Sequence, residues 1–179
     1  MGTSVIIELT TLALRVGELP GFTASRLAAR AEAASVCLEQ NGYRAECQFT
    51  VRDTMEMNHV VPARLVPITE RMRAANADLQ EATEHGAEAI AAILSLELTP
   101  YTIVERARKG TGFDYWLGTG PLELKARLEI SGILKGTLQE LEARVRKKNR
   151  QTGRSDDLGY PAFICVVEFS HPFATFTQP

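Results

Sequence analysis

From Tyr43 to Arg52 the chain alternates with period 2: Tyr43, Ala45, Cys47, Phe49 and Val51 on one side, mainly charged and polar residues on the other. Successive strand side chains point to opposite faces, so this pattern predicts a half-buried β-strand. A different period precedes it. Leu27, Ala31, Ala34 and Leu38 recur at helical spacing, which predicts a helix from an N-cap at Thr23 or Ser25 to Gln40. Asn41-Gly42 is its stop, because both residues tolerate the left-handed backbone that ends helices. Before the Pro20-Gly21 turn, residues 4–16 mix β-branched residues and Leu with Thr and Glu, and read as a strand. Residues 1–52 thus form a βαβ unit.

Asp53, Asn58, Pro62 and Pro67 break the pattern, and residues 53–67 read as a surface connection. Residues 69–98 are helical in composition, as one long helix or two segments meeting near Ala77. Ala82, Ala89, Ile90, Ile93 and Leu94 share a broad face, and Gly86, Ala87, Ala91 and Ala92 permit close approach to a sheet. Pro100 ends the helix. Strands follow at 101–107, 113–117 and 122–134, divided by turns at Gly110–Gly112 and Gly118–Pro121. A helix from Gly136 or Thr137 to about Gln151 carries Leu138, Leu141 and Val145 inward. Residues 152–160 are a polar loop. The apolar run 162–169 fits a central strand buried on both faces.

Composition adds bounds. The 179 residues, 45% hydrophobic and 23% charged, suit one globular domain spanning 1–179. A net charge of −2 carries no global signature of a nucleic-acid binder, so such a function must rest on a local patch. Cys37, Cys47 and Cys165 lie far apart without ligand spacing, which predicts reduced, buried thiols and a cytoplasmic location. Glu8 interrupts the early apolar run Val5-Ile6-Ile7 and no basic segment precedes it, so no signal peptide is expected. No run approaches the roughly 18–20 apolar residues of a membrane span, so no membrane partner is expected.

Two carboxylates stand out because strands deplete Asp and Glu. Asp114 lies in Lys-Gly-Thr-Gly-Phe-Asp-Tyr-Trp-Leu-Gly (109–118) and Glu129 in Ala-Arg-Leu-Glu-Ile-Ser-Gly (126–132). A divalent cation would account for the pair, since hard cations prefer oxygen ligands. Asp114 has a structural reading too, as an acceptor for the amides of its Gly-rich turn. Glu129 shares a strand face with Arg127 and Ser131, so a solvated Arg–Glu pair competes with metal ligation. Glu81, Glu84 and Glu88 share a helix face at i, i+3 and i+7; a solvated stripe is the simpler reading, and the small neighbours of Glu84 favour it as the inward one. His85 reads as a partly exposed helix residue. Arg144, Arg146, Lys147, Lys148, Arg150 and Arg154 place six cations within eleven residues, either a phosphate-binding helix or a solvated face near a helix C-terminus. Tyr115 and Trp116 are stacking candidates for bases, although a strand Trp is more often core.

The order helix, three strands, helix, strand over residues 69–169, with Glu84 on the first helix, Asp114 on the second strand and Glu129 on the third, resembles the core of the PD-(D/E)xK nuclease-like superfamily. The resemblance implies an α/β fold of α+β character: a mixed sheet flanked by helices, with a restriction-endonuclease-like αβββαβ core and the N-terminal βαβ extension. It implies a hydrolase, a metal-dependent phosphodiesterase or nuclease, holding Mg²⁺ or Mn²⁺ on Asp114, Glu129 and Glu84. Lys147 would join Asp114 and Glu129 in catalysis, and Arg144, Lys148, Gln151 and Lys109 would contact nucleic acid. One position departs from the pattern: the expected Glu-x-Lys is Glu129-Ile130-Ser131. Either a cation of the following helix (Arg144, Lys147 or Lys148) replaces that lysine, or the chain is a degenerate binding or assembly module without cleavage. Lys109-Gly-Thr-Gly112 lacks the Walker pattern and supports only weakly a third reading, a small-molecule enzyme binding phosphate. The extension is open to two roles, added strands or a homo-oligomer surface.

Overall fold

A computed structural model describes residues 5–179, with the side chains of 154–156 outside the description. The fold is α/β, a mixed eight-stranded sheet with helices. Its elements are β1 (Ile7–Glu8), α1 (Ala24–Gln40), β2 (Glu46–Arg52), β3 (Asn58–Arg64), α2 (Glu70–Ala75), α3 (Leu79–Leu98), β4 (Thr102–Arg106), β5 (Tyr115–Gly118), β6 (Leu124–Ile133), α4 (Leu138–Thr152), β7 (Ala162–Glu168) and β8 (Phe173–Thr177). Strand order is β1-β3-β2-β8-β7-β6-β5-β4. β4, β5 and β6 form an antiparallel meander, and α4 then carries the chain to β7, parallel to β6. A parallel neighbour needs such a crossover, because a tight hairpin can join only antiparallel strands.

Several expected elements change. Only Ile7 and Glu8 of the strand expected over 4–16 pair, with Ala63 and Arg64, and 12–18 coil into a 3-10 turn that buries Leu12. Residue 4 lies outside the described residues. The connection expected over 53–67 contains β3, whose seven residues pair with the whole of β2. Pro62 misleads there: β1 pairs only with Ala63 and Arg64, so that side of β3 is open at Pro62, which has no N–H to donate. β2 then pairs with β8, a strand the pattern did not announce, so the N-terminal unit and the meander share one sheet. Residues 69–98 are two helices, broken where Asp78 caps α3 by accepting the amides of Gln80 and Glu81. The polar loop at 152–160 includes a second 3-10 turn, 153–158.

The core lies between the sheet and the α1–α3 layer. Gly86 faces α1, where a Cβ would come within 2.8 Å of the Ala34 backbone. The close approach of α3 to the sheet uses Gly132 of β6 instead, where a Cβ would meet the Thr83 carbonyl oxygen at 2.4 Å. On the opposite face α4 packs Leu141 and Val145 over Ile164 and Val166, while Leu138, expected inward, is half exposed. α4 opens with a capping box between Thr137 and Glu140, which satisfies its first free amides and fixes its start. Cys37 and Cys165 are buried, Cys47 is half-buried, and all three are free thiols. Burial pushes the Cys37 thiol up to about 11. Among the described residues no helix is long and apolar enough to cross a membrane.

Candidate functional site

The site lies where β5 and β6 meet under α4. Asp114 immediately precedes β5; its amide donates to the Leu128 carbonyl at 2.9 Å and its carboxylate accepts the Ile130 amide at 2.8 Å. Both bonds fall on β6, one on either side of Glu129. The turn-acceptor reading of Asp114 is therefore corrected: its carboxylate serves the neighbouring strand, where β5 has run out of backbone partners.

Glu129 is 2% exposed. The solvated face expected for Arg127, Glu129 and Ser131 is covered, and the expected Arg127–Glu129 pair is replaced by bonds to α4 and the segment after it. Arg127 donates to the Thr152 and Tyr160 carbonyls, each at 2.9 Å. Glu129 Oε1 accepts from Lys148 Nζ and, at 3.0 Å, from Gln151 Nε2. Ser131 Oγ accepts from Arg144 Nη1 at 2.8 Å. Arg144, Lys148 and Gln151 lie at i, i+4 and i+7, on one helical face. Burial, followed by the adjacent Asp114 charge, pushes the Glu129 carboxyl up to about 7, and Lys148 only partly offsets this. Two carboxyl groups this close share a cost of ionisation that a cation relieves.

Two adjoining cavities meet at Asp114. The smaller, about 260 Å³, is walled by Glu84, Glu88, Arg106, Ser131, Arg144 and Lys148. The larger, about 820 Å³, opens past Glu129 toward Arg108, Lys109, Arg150 and the turn at Gly110–Gly112. Lys147 and Gln151 face both cavities. The geometry thus brings Asp114, Glu129, Lys147, Lys148, Gln151, Arg144, Lys109 and Glu84 to one cleft. Arg154 of the basic cluster lies outside the described side chains. Trp116 is half-buried, edge-on to Phe113 and to Tyr160 with ring centroids 4.7 and 5.2 Å apart.

The inward acid of α3 is Glu88, 7% exposed, while Glu84 is exposed on the cavity wall. Gly86 and Ala87 mark contact with other elements and do not turn Glu84 inward. Glu88 accepts from Arg30 Nε at 2.6 Å and from Arg106 Nη1 at 2.7 Å. These two guanidinium groups hold its carboxyl below the usual range despite the opposing effect of burial. Arg106 Nη1 also donates to the Tyr115 hydroxyl at 2.7 Å, with the guanidinium over the Tyr115 ring. Sequence reasoning missed Arg30, Glu88 and Arg106 as a unit. Only Glu88 carried a signal, an acid flanked by Ala87, Ala89 and Ile90.

The donor set suits a hard cation in part. Asp114 and Glu129 offer adjacent carboxylates, of which Glu129 has a raised proton affinity, but no group of three or more His, Cys, Asp or Glu side chains gathers among the described residues. Comparison with protein-family models, with curated proteins and with solved structures gives no match.

Proposed function

We propose that the cleft is a metal-dependent phosphodiesterase site acting on nucleic acid, built on a restriction-endonuclease-like core (residues 69–169). The observation that carries this reading is Glu129: a buried carboxyl, pushed up to about 7, beside Asp114 on the wall of a cleft lined by cations. Asp114 and Glu129 would hold Mg²⁺ or Mn²⁺, with Glu84, which lines the smaller cavity beside Asp114, the further carboxylate. A bound divalent cation supplies a water of lowered pKa and stabilises negative charge on phosphate oxygens. Lys148 and Gln151 fix the Glu129 carboxylate, so its orientation is set before substrate arrives. Lys148 thereby takes the part of the lysine absent at Ser131. Lys147 makes no ion pair among the described residues and is a cation available to a phosphate between the two cavities. Lys109, Arg108 and Arg150 extend the positive wall, which suits a strand longer than one nucleotide.

The test is incubation with single- and double-stranded DNA and RNA in Mg²⁺ and in Mn²⁺, beside Asp114→Ala. The reading expects metal-dependent cleavage by the parent protein and none by the variant. Cleavage that survives unchanged in Asp114→Ala removes the assignment.

One observation favours a second reading, a binding or assembly module that does not cleave. Lys148 already pairs with Glu129, and no third ligand joins the two carboxylates among the described residues. That reading expects oligonucleotide binding without metal-dependent cleavage and no stabilisation by Mn²⁺.

A further inference from the structure

Arg106 ends β4 and lines both cavities, so it stands with Asp114 at their junction. One edge of its guanidinium is fixed. Nη1 donates to Glu88 Oε1 and to the Tyr115 hydroxyl, each at 2.7 Å, and the group lies 5.0 Å from the Tyr115 ring centroid. Its Nε and Nη2 have no hydrogen-bond partner among the described residues, and the side chain is 44% exposed. Arg30, whose side chain is only 10% exposed, holds the other oxygen of Glu88 from α1. Two guanidinium groups thus share one carboxylate, so Glu88 anchors Arg106 without cancelling the local positive charge.

The other cleft cations differ. Arg144 and Lys148 are engaged with Ser131 and Glu129. Lys109, Lys147 and Arg150 are exposed, and long mobile side chains lose rotamer freedom when they grip an anion. Arg106 has largely made that sacrifice on folding. A guanidinium with one edge held and its donors otherwise free is preorganised for two oxygens of a phosphate. A cation that only tied β4 to α3 would not need to reach the junction of both cavities.

We infer that Arg106 grips a phosphate group of a bound polynucleotide strand beside the Asp114–Glu129 pair, and that Glu88, backed by Arg30, is its positioning residue. The inference rests on the polynucleotide reading of the cleft and names the side chain that takes the strand's phosphate.

The experiment is fluorescence anisotropy of a labelled single-stranded oligonucleotide with Ca²⁺ replacing Mg²⁺, across a salt series. It compares the parent protein with Arg106→Gln, Arg106→Lys, Glu88→Gln and the double variant Glu88→Gln/Arg106→Gln, each checked for cooperative thermal unfolding. Arg106→Gln is expected to weaken binding about tenfold and to reduce the log–log salt slope by about 0.7, the value for one phosphate contact to a single strand. Arg106→Lys restores the slope but not the full affinity, because the planar fork is lost. Glu88→Gln weakens binding alone and adds nothing once Arg106 is Gln. If Glu88→Gln fails to unfold cooperatively, Tyr115→Phe takes its place in the same cycle. Unchanged affinity and slope in Arg106→Gln overturn the inference and leave the polynucleotide reading standing. Equal losses from Glu88→Gln in both backgrounds overturn the positioning role. Absence of oligonucleotide binding by the parent protein overturns the reading and the inference together.

Discussion

Asp114 grips β6 on both sides of Glu129, through its amide to the Leu128 carbonyl and through its carboxylate to the Ile130 amide. A side chain whose own charge disfavours ionisation of Glu129 is thus also the one that fixes the strand carrying it. The cost of holding these two acids together gives Glu129 its own pH-dependent contribution to stability.

Glu129 ordinarily titrates near 4.5, and in the folded protein it is pushed up to about 7 by burial and by Asp114. The native state therefore binds more protons than the unfolded chain between these values, so the contribution of Glu129 is fully present below about 4.5 and is lost as pH rises through 7. Denaturant unfolding of the metal-free protein should show a loss of order 1–3 kcal/mol over that window. Glu129→Gln, which keeps an oxygen for Lys148 and Gln151, should lose that part of the slope. Identical pH dependence in the two proteins would contradict this origin.

A cation that binds the two carboxylates should reverse the penalty where it is largest. Mn²⁺ should raise the melting temperature more at pH 8 than at pH 5. Saturation at about 100 times the dissociation constant corresponds to about 2.7 kcal/mol. Asp114→Asn should abolish the shift, and a shift that persists in that variant would place the cation elsewhere.

Lys148 and Lys147 are neighbours with different expected effects. Lys148→Met leaves buried Glu129 without its ion pair, so under the proposed phosphodiesterase reading the cleavage pH profile should move to higher pH as well as lose amplitude. Lys147→Met should lower the rate by about tenfold, in line with loss of one charge-assisted contact from a mobile side chain, without moving the profile. The pH–rate profiles of the two variants decide between them.

Two structural predictions follow from the α3 contacts. Gly132→Ala would drive a methyl group into the Thr83 carbonyl oxygen, with only 2.4 Å available, and should cost about 1–3 kcal/mol in urea unfolding. Glu88→Ala leaves Arg30 and Arg106 facing each other without their shared carboxylate, and should cost about 3–5 kcal/mol.

Much of this architecture was legible in local periodicity. α1, the two-segment helix, the meander β4–β6, α4 and the apolar β7 all carry a short-range pattern. β3 was hidden by Pro62, which is tolerated because β1 pairs only with Ala63 and Arg64 and leaves that side of β3 open at Pro62, as only the assembled sheet reveals. The site was legible by half. Asp114 and Glu129 were conspicuous as acids within strands, and counting from Leu141 in steps of three and four reaches Arg144, Val145, Lys148 and Thr152. That count points Lys148 toward the sheet and leaves Lys147 on its flank. The Arg30–Glu88 pair was not legible, because 58 residues separate the partners and only tertiary packing brings α1 against α3. The same packing explains why Gly86 signals a helix–helix contact and not the orientation of Glu84.

The central claim is that Asp114 and Glu129 share a divalent cation. Its most direct test is the anomalous difference map of a crystal grown or soaked with Mn²⁺ near pH 8. A peak lying about 2.0–2.6 Å from a carboxylate oxygen of both Asp114 and Glu129 is the predicted result. No peak between them, with Glu129 still bound to Lys148 and Gln151 alone, would contradict it.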